Sequence, residues 1–189
     1  DDTITMLNDQ FDSTVSGIEM DVGKENQIVS GVRDVINECG SIDVLIYNVM
    51  SKPKGYYADT ESYSPNTWAE VIEINLSGAF FVSREVSKEM KKRKVGGSII
   101  FTSSTYGVVA PDQRIYDGLS PESNIYGGGL SLNTPASYSC SKAGLIGLMR
   151  HLASELGSYG IRVNALVPGG VFDGQEKRFH ERYSNRTLL

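Results

Sequence analysis

The chain has 189 residues, 40% hydrophobic and 22% charged, an ordinary balance for one globular domain with a sizeable core. Its formal net charge of −5 argues against nucleic acid or an anionic membrane surface as partner, and no apolar run is long enough to span a bilayer. The widely spaced Cys39 and Cys140 make neither a disulfide framework nor a metal spacing, and the polar opening DDTITMLNDQ is no signal peptide, so a cytoplasmic setting is expected.

Short apolar runs alternate with longer amphipathic ones along the chain. Residues 15–22 (VSGIEMDV) read as a strand. Residues 24–40 set Ile28, Val32, Val35 and Ile36 on one helical face and stop at Gly40. The run 42–49 (IDVLIYNV) is apolar almost throughout, as a strand buried on both faces would be. A long helix is predicted over 66–92, a buried strand over 98–103, a helix over 137–157 and a strand over 161–167. A last amphipathic piece runs over 174–183. This alternation predicts an α/β domain, a doubly wound parallel sheet with helices on both faces. Ligands of such sheets lie beyond the carboxyl ends of the strands. Asp21, Asn48, Ser103, Ser104, Pro168, Gly169 and Gly170 fall there. Residues 105–135 are rich in Gly, Pro and Ser and exceed ordinary connection lengths, which marks either a lid or a disordered insertion.

The segment 136-ASYSCSKAG-144 carries two possible chemistries. Tyr138 and Lys142, four apart, share one helical face a turn apart. A free phenol titrates near ~10, and a cation within ~4–6 Å stabilises its phenolate, which suits a tyrosine to proton transfer. Ser139 and Lys142 make the S-x-x-K pair of a nucleophilic serine, with 183-YSN-185 as a faint second motif, although no K-T-G follows. His151 and His180 have no matching partners, so no metal is expected.

Six pieces taken together, in order, resemble the short-chain dehydrogenase/reductase family: 21-DV-22, 42-IDVLIYN-48, 73-EINLSGAFF-81, 98-SIIFTSS-104, 138-YSCSK-142 and 161-IRVNALVPGG-170. The stretches 104-STYGVVAPDQRIYDG-118 and 168-PGGVFDGQ-175 are similar to members associated with flagellin modification and sugar-acid biosynthesis. The resemblance implies a Rossmann-like fold and hydride transfer between NAD or NADP and a small-molecule carbonyl or alcohol. The family's glycine-rich opening turn and its expected final strand are both missing, so by this resemblance the chain reads as a single partial domain over 1–189, incomplete at the N-terminus and at the C-terminus. By the same resemblance, the residue that selects NAD over NADP falls upstream of Asp1, so the two are not distinguished. Met50 stands where the family has a glycine.

By the same resemblance, the catalytic residues are Asn75, Ser104, Tyr138 and Lys142. Tyr138 would be the general acid/base and Lys142 would also hold the nicotinamide ribose. Ser104, preferred over Ser103, would bond the substrate oxygen, and Asn75 would interrupt its helix. Asp21 and Val22 would meet the adenine, Asn48 would border the cofactor and brace the strands, and Pro168, Gly169 and Val171 would approach the nicotinamide. Arg114, in the long segment, is the expected anion contact for a sugar-like substrate. The broad apolar faces of helices 66–92 and 137–157 suggest a homodimer or homotetramer. A non-catalytic nucleotide-binding or scaffolding relative is the alternative from another class.

Overall fold

Three strands, β1 (Val44–Tyr47), β2 (Gly97–Thr102) and β3 (Ile161–Leu166), form a parallel sheet in the order β1-β2-β3. The computed structural model describes residues 2–11 and 14–187. The register sets Leu45 beside Ile99 and Tyr47 beside Phe101, while Ile99 in turn pairs with Val163. Ile99 and Phe101 are fully buried, and each such side chain contributes about 1.5–3 kcal/mol through the apolar area it removes from water.

Helices α1 (Asp2–Gln10), α2 (Glu25–Cys39), α3 (Pro65–Ile72), α4 (Gly78–Arg93), α5 (Ala136–Leu156) and α6 (Lys177–Ser184) complete the regular elements. Ile28 and Val32 of α2, Val82 and Val86 of α4, and Leu145 and Leu152 of α5 share one core with the strands. All three helices therefore belong to one side of the sheet. On the other side Val44, Ile46 and Leu166 stay exposed, so a helical layer is seen on one of the two expected faces. The strand order does not reverse between β1 and β3, and right-handed crossovers change face only where it does.

Two elements depart from the sequence reading. Residues 15–22 form no strand, because no described strand offers them a ladder; the segment is held by side chains instead. The Val15 amide donates to Asn8 Oδ1 at 2.6 Å and the Asp21 amide to Gln27 Oε1 at 2.8 Å. The helix expected over 66–92 is broken. Ser64 caps α3 by accepting from the Thr67 amide at 3.0 Å, and a π-helical turn, Glu73–Ser77, then separates α3 from α4.

The long segment 105–135 is folded. Leu119 and Leu132 pack with Tyr56, Tyr57 and Val71 in a second apolar cluster, and Ile115 is buried. Gln113 bonds the Thr134 backbone in both directions, at 2.6 and 3.3 Å, and Asn133 Nδ2 donates to the Tyr57 carbonyl at 2.7 Å. Helix α6 covers the segment from outside. Its Arg178 donates to the Gly118 carbonyl at 3.2 Å, Arg182 donates to the carbonyls of Ile115 and Asp117, and Arg186, just past the helix, pairs with Asp112 at 2.7 Å.

Candidate active site

The carboxyl end of β2 meets the start of α5, where Ser103, Ser104, Tyr138 and Lys142 lie. Pro135 precedes α5, so Tyr138 and Lys142 fall in its first two turns, one above the other. Lys142 is buried, its Nζ donates to the Thr102 carbonyl at 2.6 Å, and it lies 5.7 Å from the centre of the Tyr138 ring. Desolvation lowers the Lys142 pKa below its ordinary value.

Ser103 and Ser104 have separate fates. Ser103 Oγ donates to the Lys142 backbone carbonyl at 2.7 Å and so ties the end of β2 to α5. Gly107 permits that approach: a Cβ there would stand 2.8 Å from the Lys142 carbonyl carbon. Ser104 instead lines, with Tyr138, a cavity of about 430 Å³, and its Oγ accepts from the Tyr106 amide at 3.2 Å. A volume of that size suits a small molecule.

Asn75 sits fully buried in the π-helical turn. Its Oδ1 accepts from the Ser51 amide at 2.9 Å and its Nδ2 donates to Ser141 Oγ at 3.3 Å, which joins the loop after β1 to α5. The Tyr47 hydroxyl donates to the Ile74 carbonyl of this turn at 2.5 Å, and burial pushes this phenol above its usual range. A π-turn so placed is common at functional sites.

Other positions fit unevenly. Gly169 and Val171 line the cavity with Met50, and the Pro168 carbonyl accepts from the Thr105 amide at 3.1 Å. Val22 is packed in the core, while the Asp21 carboxylate accepts from the Gly23 amide and pairs with Lys24 at 2.9 Å. These partners hold its pKa below the ordinary value, the Lys24 contact most. Asn48 lies exposed past β1 and makes no side-chain hydrogen bond among the described residues, so the expected brace between strands is not formed. Arg114 is a correction. Its side chain is 78% exposed, grips Asp112 at 2.7 Å and does not line the cavity. An acid two residues earlier was the nearer partner.

The sequence reading missed the cavity's aromatic wall. Seven of the ten tyrosines line it, among them Tyr56, Tyr57, Tyr106 and Tyr116, whose phenols burial raises above the ordinary value. It also missed Lys52, whose 51-SKPKG-55 run looks like a solvated turn. The Ser139–Lys142 alternative finds no geometry. Ser139 Oγ is buried without a hydrogen-bond partner and lines a separate groove with Cys140. Among the described residues no cluster of His, Cys, Asp or Glu could hold a metal, and no helix is long and apolar enough to cross a membrane.

The short chain dehydrogenase family model matches residues 2–116 and 126–182. The chain belongs to the short chain dehydrogenase family. The interval left out of that match lies inside the folded insertion of this dehydrogenase-family chain. The chain is 31% identical over 182 residues to a probable 2,4-dienoyl-CoA reductase of Bacillus subtilis, covering 94% of this chain and 62% of that protein. It is 30% identical over 173 residues to the 3-oxoacyl-[acyl-carrier-protein] reductase FabG of Staphylococcus epidermidis, covering 90% of this chain and 60% of that protein. A short chain dehydrogenase from Leptospira borgpetersenii, crystallised with bound NAD+, superposes with a TM-score of 0.75 at 29% identity, covering 91% of this chain and 60% of that one. The chain thus spans about three fifths of the length of these relatives.

Proposed function

We propose that the protein is an NAD- or NADP-dependent oxidoreductase acting on a carbonyl or alcohol of a small molecule. The observation that carries this reading is the stack of Tyr138 over buried Lys142 at the strand ends, with Ser104 in the same cavity. Tyr138 gives a proton to the carbonyl oxygen, or takes one from the alcohol in reverse. The Ser104 hydroxyl donates to that oxygen and stabilises the charge developing on it. Lys142 spends one ammonium hydrogen on Thr102 and keeps two for a ribose hydroxyl and for its influence on the phenol. Asn75 fixes the loop after β1 against α5, so both walls of the site keep their spacing.

The residues fit the nicotinamide end of a dinucleotide. Gly169 and Gly170 leave backbone exposed beyond β3 and line the cavity with Tyr138, against whose ring Lys142 is placed. No glycine-rich turn for the pyrophosphate occurs in the sequence. When bound, the cofactor supplies or accepts the hydride. NAD+ in the Leptospira relative supports the same chemistry here.

The likeness of 104–118 and 168–175 to flagellin-modification and sugar-acid enzymes supports a hydroxyl-rich substrate in a cytoplasmic protein. Phe80 of α4 and Trp68 of α3, 39% and 40% exposed, support self-association through these helices. The direct test is reduced-nicotinamide absorbance with the full-length protein, both cofactors and a panel of small alcohols and carbonyls. Turnover is expected with at least one pair. Cofactor binding without any turnover would favour the scaffolding relative.

A further inference from the structure

The cavity wall carries one unpaired cation. Lys52 lines it close to Met50, and among the described residues it makes no ion pair. Its ammonium lies 3.5 Å from the centre of the Tyr126 ring, well within the ~6 Å reach of a cation–π contact. The Tyr126 hydroxyl accepts from Gln175 Nε2 at 3.0 Å. One residue of the insertion thus clasps the loop after β1 and the loop after β3 across the cavity mouth. Desolvation lowers the proton affinity of Lys52, and the charge of Asp173, too far for an ion pair, opposes that. A lysine partly stripped of water and lacking a carboxylate partner is a site for an anion brought by the ligand.

We propose that Lys52 is the charge contact for the substrate, and that the substrate is a carboxylate-bearing hydroxyl or carbonyl compound whose reacting carbon faces Tyr138. The wall supports a monoanion over a phosphate dianion: Lys52 is its sole cation among the described residues, and Asp173 adds an opposing charge. Tyr126 acts as the platform that holds the ammonium in the mouth. The inference rests on the oxidoreductase reading for the placement of the reacting carbon.

The test uses the full-length protein with its nicotinamide cofactor and matched probes, 3-hydroxybutyrate and gluconate against 3-hydroxybutyramide and gluconamide, with glycerol 3-phosphate as the phosphate arm. A charge-assisted contact predicts a preference for acid over amide of about tenfold or more in kcat/KM. Lys52→Gln should erase that preference, and Lys52→Arg should restore much of it. Equal use of acid and amide, a preference for glycerol 3-phosphate, or a preference that survives Lys52→Gln would overturn the proposal. Calorimetric titration of the two acids, read beside the turnover, separates the two readings. Acid binding that weakens about tenfold in Lys52→Gln without any turnover would retain the anion site and count against the oxidoreductase reading. Binding that is absent, or equal in both proteins, would remove the anion site itself.

Discussion

Ser103 Oγ donates to the backbone carbonyl of Lys142 at 2.7 Å, so the first serine of the pair holds the scaffold and the second faces the cavity. Ser103→Ala should therefore lower stability by about 0.5–1.5 kcal/mol while retaining turnover. Ser104→Ala gives up the bond from the Tyr106 amide and should cost a similar amount of stability, but it should also reduce kcat by about 10²–10³. Kinetics and thermal melts of both variants check this. Loss of turnover in Ser103→Ala alone would reverse the assignment.

Much of this site was legible from spacing. The helical period puts Tyr138 and Lys142 on one face, their expected roles came from the resemblance, and β1, β2 and β3 followed from apolar runs. The π-turn at Asn75 was readable as an oddity, since a buried asparagine suits a helix interior poorly. Residues 15–22 alternate like a strand, but strand formation needs a neighbour, which local pattern does not encode. Arg114 pairs with Asp112 and Lys52 sits over the Tyr126 ring for a similar reason: charge is visible in a sequence, whereas pairing is set by tertiary approach.

The insertion is a structural part of the domain. Ile115 is 1% exposed, beneath the Arg182 contacts of α6. Ile115→Ala should cost about 2–5 kcal/mol of unfolding free energy, measured by denaturant titration. A cost below ~0.5 kcal/mol would mark the segment as a surface appendage.

Lys142 gives stability an alkaline signature. Its folded pKa lies below the ordinary 10.5, so between the two values the unfolded chain holds a proton that the folded chain has lost. Stability then rises with pH across that window, by up to about 1.4 kcal/mol per pH unit for one group. Below the window the charged lysine is desolvated and the full penalty is present. Comparison of wild type with Lys142→Met cancels the other titrating groups. The wild type should gain relative stability as pH climbs towards 10.5. A flat or falling difference would contradict the burial of the charge.

The reading stands or falls on the phenol of Tyr138, half-buried in the cavity and one helical turn from Lys142. The measurement is kcat/KM for Tyr138→Phe in the full-length protein, beside the dissociation constant of the cofactor. With the proton donor gone and the ring retained, turnover should fall to background while cofactor affinity stays close to wild type. Retention of more than about a tenth of the activity, a barrier change below ~1.4 kcal/mol, would contradict the role given to this tyrosine.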